Sequence, residues 1–373
     1  MNGGGSPLLS VRAEARQLVA SDYAVVDGLI EHTAGSKADA VQSVTGPIEP
    51  RELGLTLPHE HLFINMTPTE ARDGYMTVWE ERKADLERFK AAGGRTILDV
   101  TNAELSNYAA PVYFDRDPAR LVQNPVTGSR SVANVLATKA LAEETGVQVI
   151  LGTGHYFDEY FDVDWFERSS TSQIAEYLVA DLEHEIPGTG VRAGFIGEVA
   201  SNLPYITARE ERSFRASGRA AARTGVMVTT HAPTFPTGGT QIDFLTDEGV
   251  DPSRIVIGHT DTVKDVQYSI DLLERGVFVE YDCMMAVKIG GKILAHELNR
   301  RIDYLRTLVE LGYTDQILLS QDVSQRSHQA ALGGPGLTFI FEEFAEAAVA
   351  SGIDQEALRR MNVENPRRAL FGA

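Results

Sequence analysis

The segment GLTLPHEHLF, residues 54–63, is the first of eight short apolar runs that alternate with helical stretches along the chain. Runs this apolar are typical of parallel strands that are covered on both faces. The seven later runs span residues 95–101, 147–156, 193–200, 226–233, 254–261, 277–282 and 316–323. Eight alternating β and α units predict an α/β fold of the (β/α)8 TIM-barrel type. An open doubly wound sheet is the competing fold, but it does not need eight strands, and no GxGxxG motif follows the first run.

The alternation of predicted strands and helices divides the chain into two parts. The barrel is predicted over residues 42–373, and the N-terminal extension comprises residues 1–41. A length of 373 residues suits a single α/β barrel. The extension begins with MNGGGSP and continues into a stretch of helical character. The extension is compatible with an arm, an oligomer contact or a cap on the bottom of the barrel.

Composition limits the classes of partner. The formal net charge is −19, which argues against nucleic-acid or anionic-membrane partners because both need a basic surface. No stretch resembles a membrane span of about 20 apolar residues, and the N-terminus lacks the apolar core of a secretory signal. The single cysteine, Cys283, cannot form an internal disulfide. The sequence predicts a cytoplasmic protein that acts on a small molecule.

Side chains of the metal-ligand type follow five of the eight predicted strands. In a barrel, functional groups lie at the carboxyl ends of the strands, so these side chains are expected to meet at one mouth. The spacing of the first two also places them on the same face of their strand. The candidate metal ligands are His59, His61, Glu198, His231, His259 and Asp322.

A shared metal centre is the simplest reason for this pattern. Any one of these residues alone is more often a core or loop residue than a ligand. Four imidazoles and two carboxylates buried together without a cation would be costly, because unpaired buried charges are expensive. The mixture of histidine and carboxylate suits Zn²⁺, with another divalent transition metal as a substitute.

Six ligands are more than one tetrahedral site needs, so two Zn²⁺ ions per chain are expected. Glu198 is the natural bridge because its strand lies between the others in order. A hydroxide bridging the ions is the predicted nucleophile, and Asp322 is the predicted catalytic base and proton shuttle. The first ion is assigned His59, His61 and Asp322, and the second His231 and His259.

The motifs resemble those of the phosphotriesterase family of the amidohydrolase superfamily. LPHEHLF is similar to that family's first-strand signature, GHTD (258–261) to its sixth-strand histidine, and LLSQDVSQRSH (318–328) with GGPG (333–336) to its eighth-strand aspartate and loop. The similarity runs from about residue 42 to ENPRRAL near the end. The resemblance implies a (β/α)8 barrel, a binuclear metal centre and hydrolysis by metal-bound hydroxide. It is also compatible with a homodimer.

One departure from the family pattern affects the expected substrate. Many members bridge the metals with a carboxylated lysine, whereas this chain has Glu198 in AGFIGEVA (193–200). It thereby resembles the phosphotriesterase-related, or phosphotriesterase homology protein, branch. The resemblance implies hydrolysis of a carboxylic ester or lactone. An amidase acting on N-acyl amines or amino acids, a phosphotriesterase and a non-catalytic binding barrel are the alternatives.

Three further residues are candidates for substrate contacts. Tyr156 lies in an aromatic-rich loop after the third strand, where it either lines the pocket and polarises a carbonyl or packs the loop. Lys288 follows the seventh strand and either meets an anionic substrate group or is a solvated loop charge. Arg326 follows Asp322 closely and is expected to orient a carboxylate of the substrate or Asp322 itself.

Overall fold

The computed structural model describes residues 39–112 and 114–372. The predicted N-terminal extension, residues 1–41, therefore lies almost wholly outside the described residues. The described chain begins with a short antiparallel hairpin, Val41–Ser43 with Gly46–Ile48. This hairpin packs at the amino-terminal ends of the barrel strands, where the amide of Val44 donates to the carbonyl of Val149.

All eight predicted strands are present and form one eight-stranded sheet. Neighbouring strands are parallel and follow one another in chain order. The predicted (β/α)8 barrel is therefore confirmed. The strands are β1 (Leu55–Glu60), β2 (Gly94–Asp99), β3 (Gln148–Thr153), β4 (Phe195–Ala200), β5 (Val228–His231), β6 (Ile255–Gly258), β7 (Phe278–Tyr281) and β8 (Ile317–Leu319).

Side chains close the barrel between β8 and β1. The Ser320 hydroxyl lies 3.1 Å from the amide and 3.0 Å from the carbonyl of His59. The amide of Asn362 donates to the carbonyls of Thr56 and Leu319, one on each strand. These contacts satisfy backbone groups that would otherwise be buried without partners, so they replace part of a regular ladder at the seam.

Helices cover the outside of the barrel. The longest of them, α5, begins with the capping box of Thr207 and Glu210 and ends at Gly225, whose φ of 74° is the left-handed conformation that favours glycine. Within the described residues no helix is long and apolar enough to cross a membrane. Among the described residues, the α-helices of six residues or more are α1 (Trp79–Ala91), α2 (Val132–Thr145), α3 (Val163–Arg168), α4 (Thr171–Glu183), α5 (Ala208–Thr224), α6 (Gly238–Asp247), α7 (Val266–Leu273), α8 (Ala295–Glu310), α9 (Glu343–Ala350), α10 (Gln355–Asn362) and α11 (Glu364–Phe371).

Apolar side chains fill the lower part of the barrel. Leu98, Ile150, Phe195 and Val256 belong to one buried cluster that also includes residues of the first hairpin and of α11. The interior is thus closed at the amino-terminal ends of the strands. The polar side chains that follow the strands occupy the opposite end, which is where barrel enzymes carry their chemistry.

Candidate metal centre

The Glu198 carboxylate lies at the centre of the four predicted imidazole ligands. Its Oε2 is 3.2 Å from Nε2 of His59, 2.9 Å from Nδ1 of His231 and 3.4 Å from Nε2 of His259. Its Oε1 is 3.4 Å from Nε2 of His61. The structure therefore brings together residues from β1, β4, β5 and the loop after β6, as the sequence predicts.

Two overlapping groups of ligand atoms share Glu198. Glu198 with His59 and His61 forms one group, and Glu198 with His231 and His259 forms the other; within each, the ligand atoms lie within 4.8 Å of one another. A carboxylate common to two such groups is placed as a bridging ligand would be. Asp322, which is predicted for the first ion, instead shares a group with His259 and Cys283. The division of the ligands between two ions stays a prediction.

Asp322 completes the cluster on the β1 side. Its Oδ1 lies 3.5 Å from Nε2 of His61. Burial would raise the pKa of Asp322, but His61 and the other nearby imidazoles hold it well below its usual range. The carboxylate is therefore ionised, as both a metal ligand and a proton acceptor must be.

Two of the clustered residues have unusual backbone conformations. Asp322 has a φ of 52° and His259 a φ of 58°. Residues other than glycine rarely adopt such positive values, which cost of order 1 kcal/mol or more. Surrounding contacts must enforce them. Conformations of this kind concentrate at functional sites because the site geometry requires them.

The outward-facing nitrogens of the β1 histidines are held by hydrogen-bonding partners. Nδ1 of His59 is 3.0 Å from Oε2 of Glu280, and Nδ1 of His61 is 2.9 Å from the hydroxyl of Thr101. Partners of this kind fix the tautomer and the ring orientation of a metal-binding histidine. Both rings consequently turn Nε2 toward Glu198.

Asp282 plays the same part for His259. Its Oδ1 lies 2.8 Å from Nδ1 of His259, and both of its oxygens accept from the His259 amide at 3.1 Å. Sequence reasoning gave no role to Glu280 or Asp282. Their i, i+2 spacing at the end of β7 matches that of His59 and His61, and this alternation is the signal that would have found them.

The charge balance of the cluster fits a cation. Burial would lower the pKa of His59, but Asp282, Glu198 and Glu280 hold it well above its usual value. Positive charge near these carboxylates is therefore favourable, and divalent ions bound there would supply it while the imidazoles stayed neutral. Nε2 of His59 is also buried, and its 3.2 Å contact with Oε2 of Glu198 lacks the geometry of a hydrogen bond. An unpartnered nitrogen facing a carboxylate is what a metal ligand requires.

Tyr156 reaches the cluster from the loop after β3. Its hydroxyl lies 3.4 Å from Nδ1 of His231, and burial raises its pKa well above the usual value, so the phenol is a proton donor. Glu104 holds this loop by accepting from the Tyr156 amide at 3.0 Å and by contacting Nδ1 of His155 at 2.7 Å. The loop rings also pack on one another, as Trp165 does on His155.

The two predicted substrate-binding cations are paired with carboxylates. Nζ of Lys288 lies 2.7 Å and 3.0 Å from the two oxygens of Glu343. The Arg326 side chain is 41% exposed, and its guanidinium donates to Glu81 at 2.7 Å. The expectation that Arg326 orients Asp322 is wrong for this arrangement, because its guanidinium is directed at Glu81. The proposed contacts of both cations with substrate stay predictions.

Comparison with known proteins identifies the family to which this chain belongs. The phosphotriesterase family model matches residues 39–114 and 115–370. The N-acetyltaurine hydrolase of Danio rerio is 28% identical over 348 residues, which cover 88% of this chain and 97% of that protein. The crystal structure of the Escherichia coli phosphotriesterase homology protein, complexed with phosphate in its active site, matches with a TM-score of 0.72 and 27% identity over 85% of this chain and 98% of that one.

A lactonase from Listeria monocytogenes also has the same fold. It matches with a TM-score of 0.74 and 25% identity, covering 90% of this chain and 99% of the lactonase. The family match spans the barrel and all six clustered residues. The chain therefore belongs to the phosphotriesterase family and is a hydrolase of its phosphotriesterase-related branch.

Proposed function

We propose that this protein is a binuclear, zinc-dependent hydrolase that cleaves a carboxylic ester or a lactone. The observation that carries the proposal is the position of Glu198, whose carboxylate lies within 3.4 Å of all four imidazoles. Two divalent ions held there would polarise a carbonyl oxygen and lower the pKa of a shared water. The ligands would be His59, His61, Glu198, His231, His259 and Asp322.

The protein's own groups supply the proton chemistry. Asp322 is ionised and buried beside His61, so it is placed to accept the proton released when water attacks the carbonyl. Tyr156 keeps its phenolic proton and points at the cluster, so it is placed to donate a hydrogen bond to the acyl oxygen. Both side chains are buried.

The charge around the site favours an uncharged substrate. Lys288 and Arg326, the two cations predicted to meet an anionic group, are already neutralised by Glu343 and Glu81. A lactone or a neutral ester needs no such cation. The similarity to the Listeria lactonase supports this choice. We also propose a cytoplasmic location, which rests on the composition.

A second candidate activity is the hydrolysis of N-acyl amines. Several of the similar proteins are N-acetyltaurine hydrolases, which are 26–29% identical over 88–90% of this chain. An amide requires the same polarised carbonyl, and additionally a proton delivered to the leaving nitrogen. Asp322, once protonated, is positioned to deliver it.

A panel of substrates on Zn²⁺-loaded protein separates the candidates. The panel contains lactones, aryl esters, N-acyl amino acids with N-acetyltaurine, and an aryl phosphotriester. We expect kcat/KM to be highest, by about tenfold or more, for a lactone or ester, a difference of about 1.4 kcal/mol in transition-state stabilisation. Turnover confined to N-acyl amines would replace the first candidate by the second. No turnover of any panel member at full metal occupancy would overturn both.

A further inference from the structure

Glu60 lies between the two β1 histidines but faces the opposite way. Alternation along a strand directs its side chain out of the cluster and toward β8. Its carboxylate is fully buried. Oε1 accepts from the Ser320 hydroxyl at 2.8 Å and from the Gln321 amide at 2.9 Å, and Oε2 accepts from the Val323 amide at 2.9 Å.

These contacts enclose Asp322 on both sides. The amides immediately before and after Asp322 donate to the two oxygens of one carboxylate, and the Asp322 amide donates to the His59 carbonyl at 3.3 Å. Three successive amides of the segment after β8 therefore donate hydrogen bonds to residues 59 and 60. Since β8 itself ends at Leu319, no regular ladder supplies these partners.

The conformation of Asp322 explains why such a clamp is needed. Its φ of 52° is unfavourable for a residue with a side chain, so it persists only where surrounding contacts enforce it. A carboxyl group with two oxygens can hold both flanking amides at once. An amide side chain offers only one acceptor oxygen.

We propose that Glu60 is a positioning residue that fixes the Asp322 carboxylate against His61 by clamping the amides of Gln321 and Val323. The inference rests on the proposed function, in which Asp322 is a ligand and the proton acceptor. Glu60 acts through Asp322 and does not touch the substrate or the ligands' metal-facing atoms. One carboxylate thus links the strand that carries His59 to the segment after β8 that carries Asp322.

The test compares Glu60→Gln with Asp181→Asn as a matched control. Asp181 is likewise a fully buried carboxylate that accepts two side-chain hydrogen bonds, from Ser129 and Thr153, but it lies in α4 outside the cluster. We expect Glu60→Gln to lower kcat on the best panel substrate by about 10- to 100-fold with a smaller change in KM, because displacements of about 1 Å cost rates of this order. The control is expected to keep kcat close to that of wild type, because the side-chain partners of Asp181 lie outside the cluster.

Zn²⁺ affinity, measured with a competing chromogenic chelator, gives a readout that does not depend on turnover. We expect Glu60→Gln to weaken binding by about 10-fold or more, and we expect it to add little in an Asp322→Asn background, because residues acting through one group are not additive. Equal losses in both backgrounds would show a general structural role and overturn the inference. If Glu60→Gln does not fold, Glu60→Asp serves instead, since the shorter side chain keeps the charge but cannot reach both amides.

The outcomes separate this inference from the proposed function. A wild-type protein that hydrolyses the panel, with Glu60→Gln unchanged in kcat and Zn²⁺ affinity, overturns the inference and leaves the function standing. A wild-type protein that binds Zn²⁺ but turns over nothing overturns the function, and the affinity cycle still decides the role of Glu60. A wild-type protein that binds no Zn²⁺ overturns both.

Discussion

The Asp282 carboxylate contacts one histidine from each predicted metal site. Its Oδ1 lies 2.8 Å from Nδ1 of His259, and its Oδ2 lies 3.3 Å from Nδ1 of His59. Both rings therefore present Nε2 to Glu198. One buried carboxylate on the far side of the ligands thus orients both halves of the proposed centre.

Asp282→Asn is expected to weaken both metal sites. An amide cannot accept from both rings and the His259 amide in the same way, so the tautomer and orientation of each ring are lost. We expect Zn²⁺ affinity to fall by about 10- to 100-fold, with less than two equivalents retained after dialysis. Glu280→Gln is the comparison, because Glu280 bonds His59 at 3.0 Å and should affect the first site most. Identical metal binding by Asp282→Asn and wild type would refute this role.

Tyr156→Phe is expected to lower kcat more than it raises KM. The substitution removes only the hydroxyl near His231 and keeps the ring, which packs on Phe157 with a centroid distance of 4.3 Å. Loss of one oxyanion donor costs about 10²-fold in other hydrolases, so a fall of about tenfold or more is expected. Steady-state kinetics on the best panel substrate measures it.

Tyr160→Phe is the control for that experiment. Tyr160 packs on the Tyr156 ring at 5.2 Å, but its hydroxyl is bonded to Thr69, away from the ligands. Its removal should leave kcat nearly unchanged. Equal losses of kcat in the two variants would show that both hydroxyls serve only to pack the aromatic loop.

Asp181 is expected to make the protein less stable as pH rises. Burial raises its pKa to about 7, despite hydrogen bonds from Thr153 and Ser129 that lower it, whereas an unfolded aspartate titrates near 3.9. Between these values the folded state holds the proton and the unfolded state does not. Stability from this group is therefore fully present below about pH 4, falls as pH rises and is level again above about pH 7. The loss is at most about 4 kcal/mol, at about 1.4 kcal/mol per pKa unit.

Urea unfolding at two pH values checks the sign. The side chain at position 181 cannot titrate in the Asp181→Asn variant. The free energy of unfolding of the variant minus that of wild type should therefore be more positive at pH 7.5 than at pH 5. Other groups contribute equally to both proteins and cancel in the difference. A difference that is the same at both pH values, or that is larger at pH 5, would contradict the assignment.

Local patterns in the sequence were enough to predict the barrel and the clustering of the six residues. Apolar runs predict buried parallel strands, and ligand-type residues at their carboxyl ends must meet once those strands form a barrel. His59 and His61 show this directly, because strand alternation alone puts both on one face. The same alternation places Glu60 on the other face, where the structure finds it.

Partners that are distant in sequence could not be predicted in this way. Arg326 bonds Glu81, which is 245 positions away, and Lys288 bonds Glu343, 55 positions away. Neither spacing follows from a strand or helix period. The contacts of Asp282 and Glu280 depend on which ring nitrogens face outward, and that depends on packing between neighbouring strands. The substrate residues are therefore the least predictable part of the site.

Metal analysis of wild type and Glu198→Gln tests the central claim most directly. The account places Glu198 as the ligand common to both ions, so wild-type protein reconstituted with Zn²⁺ should hold two equivalents per chain and the variant less than one, with loss of hydrolysis. Wild-type protein that holds clearly less than one equivalent after reconstitution, or a folded Glu198→Gln variant that keeps two equivalents, would contradict the account.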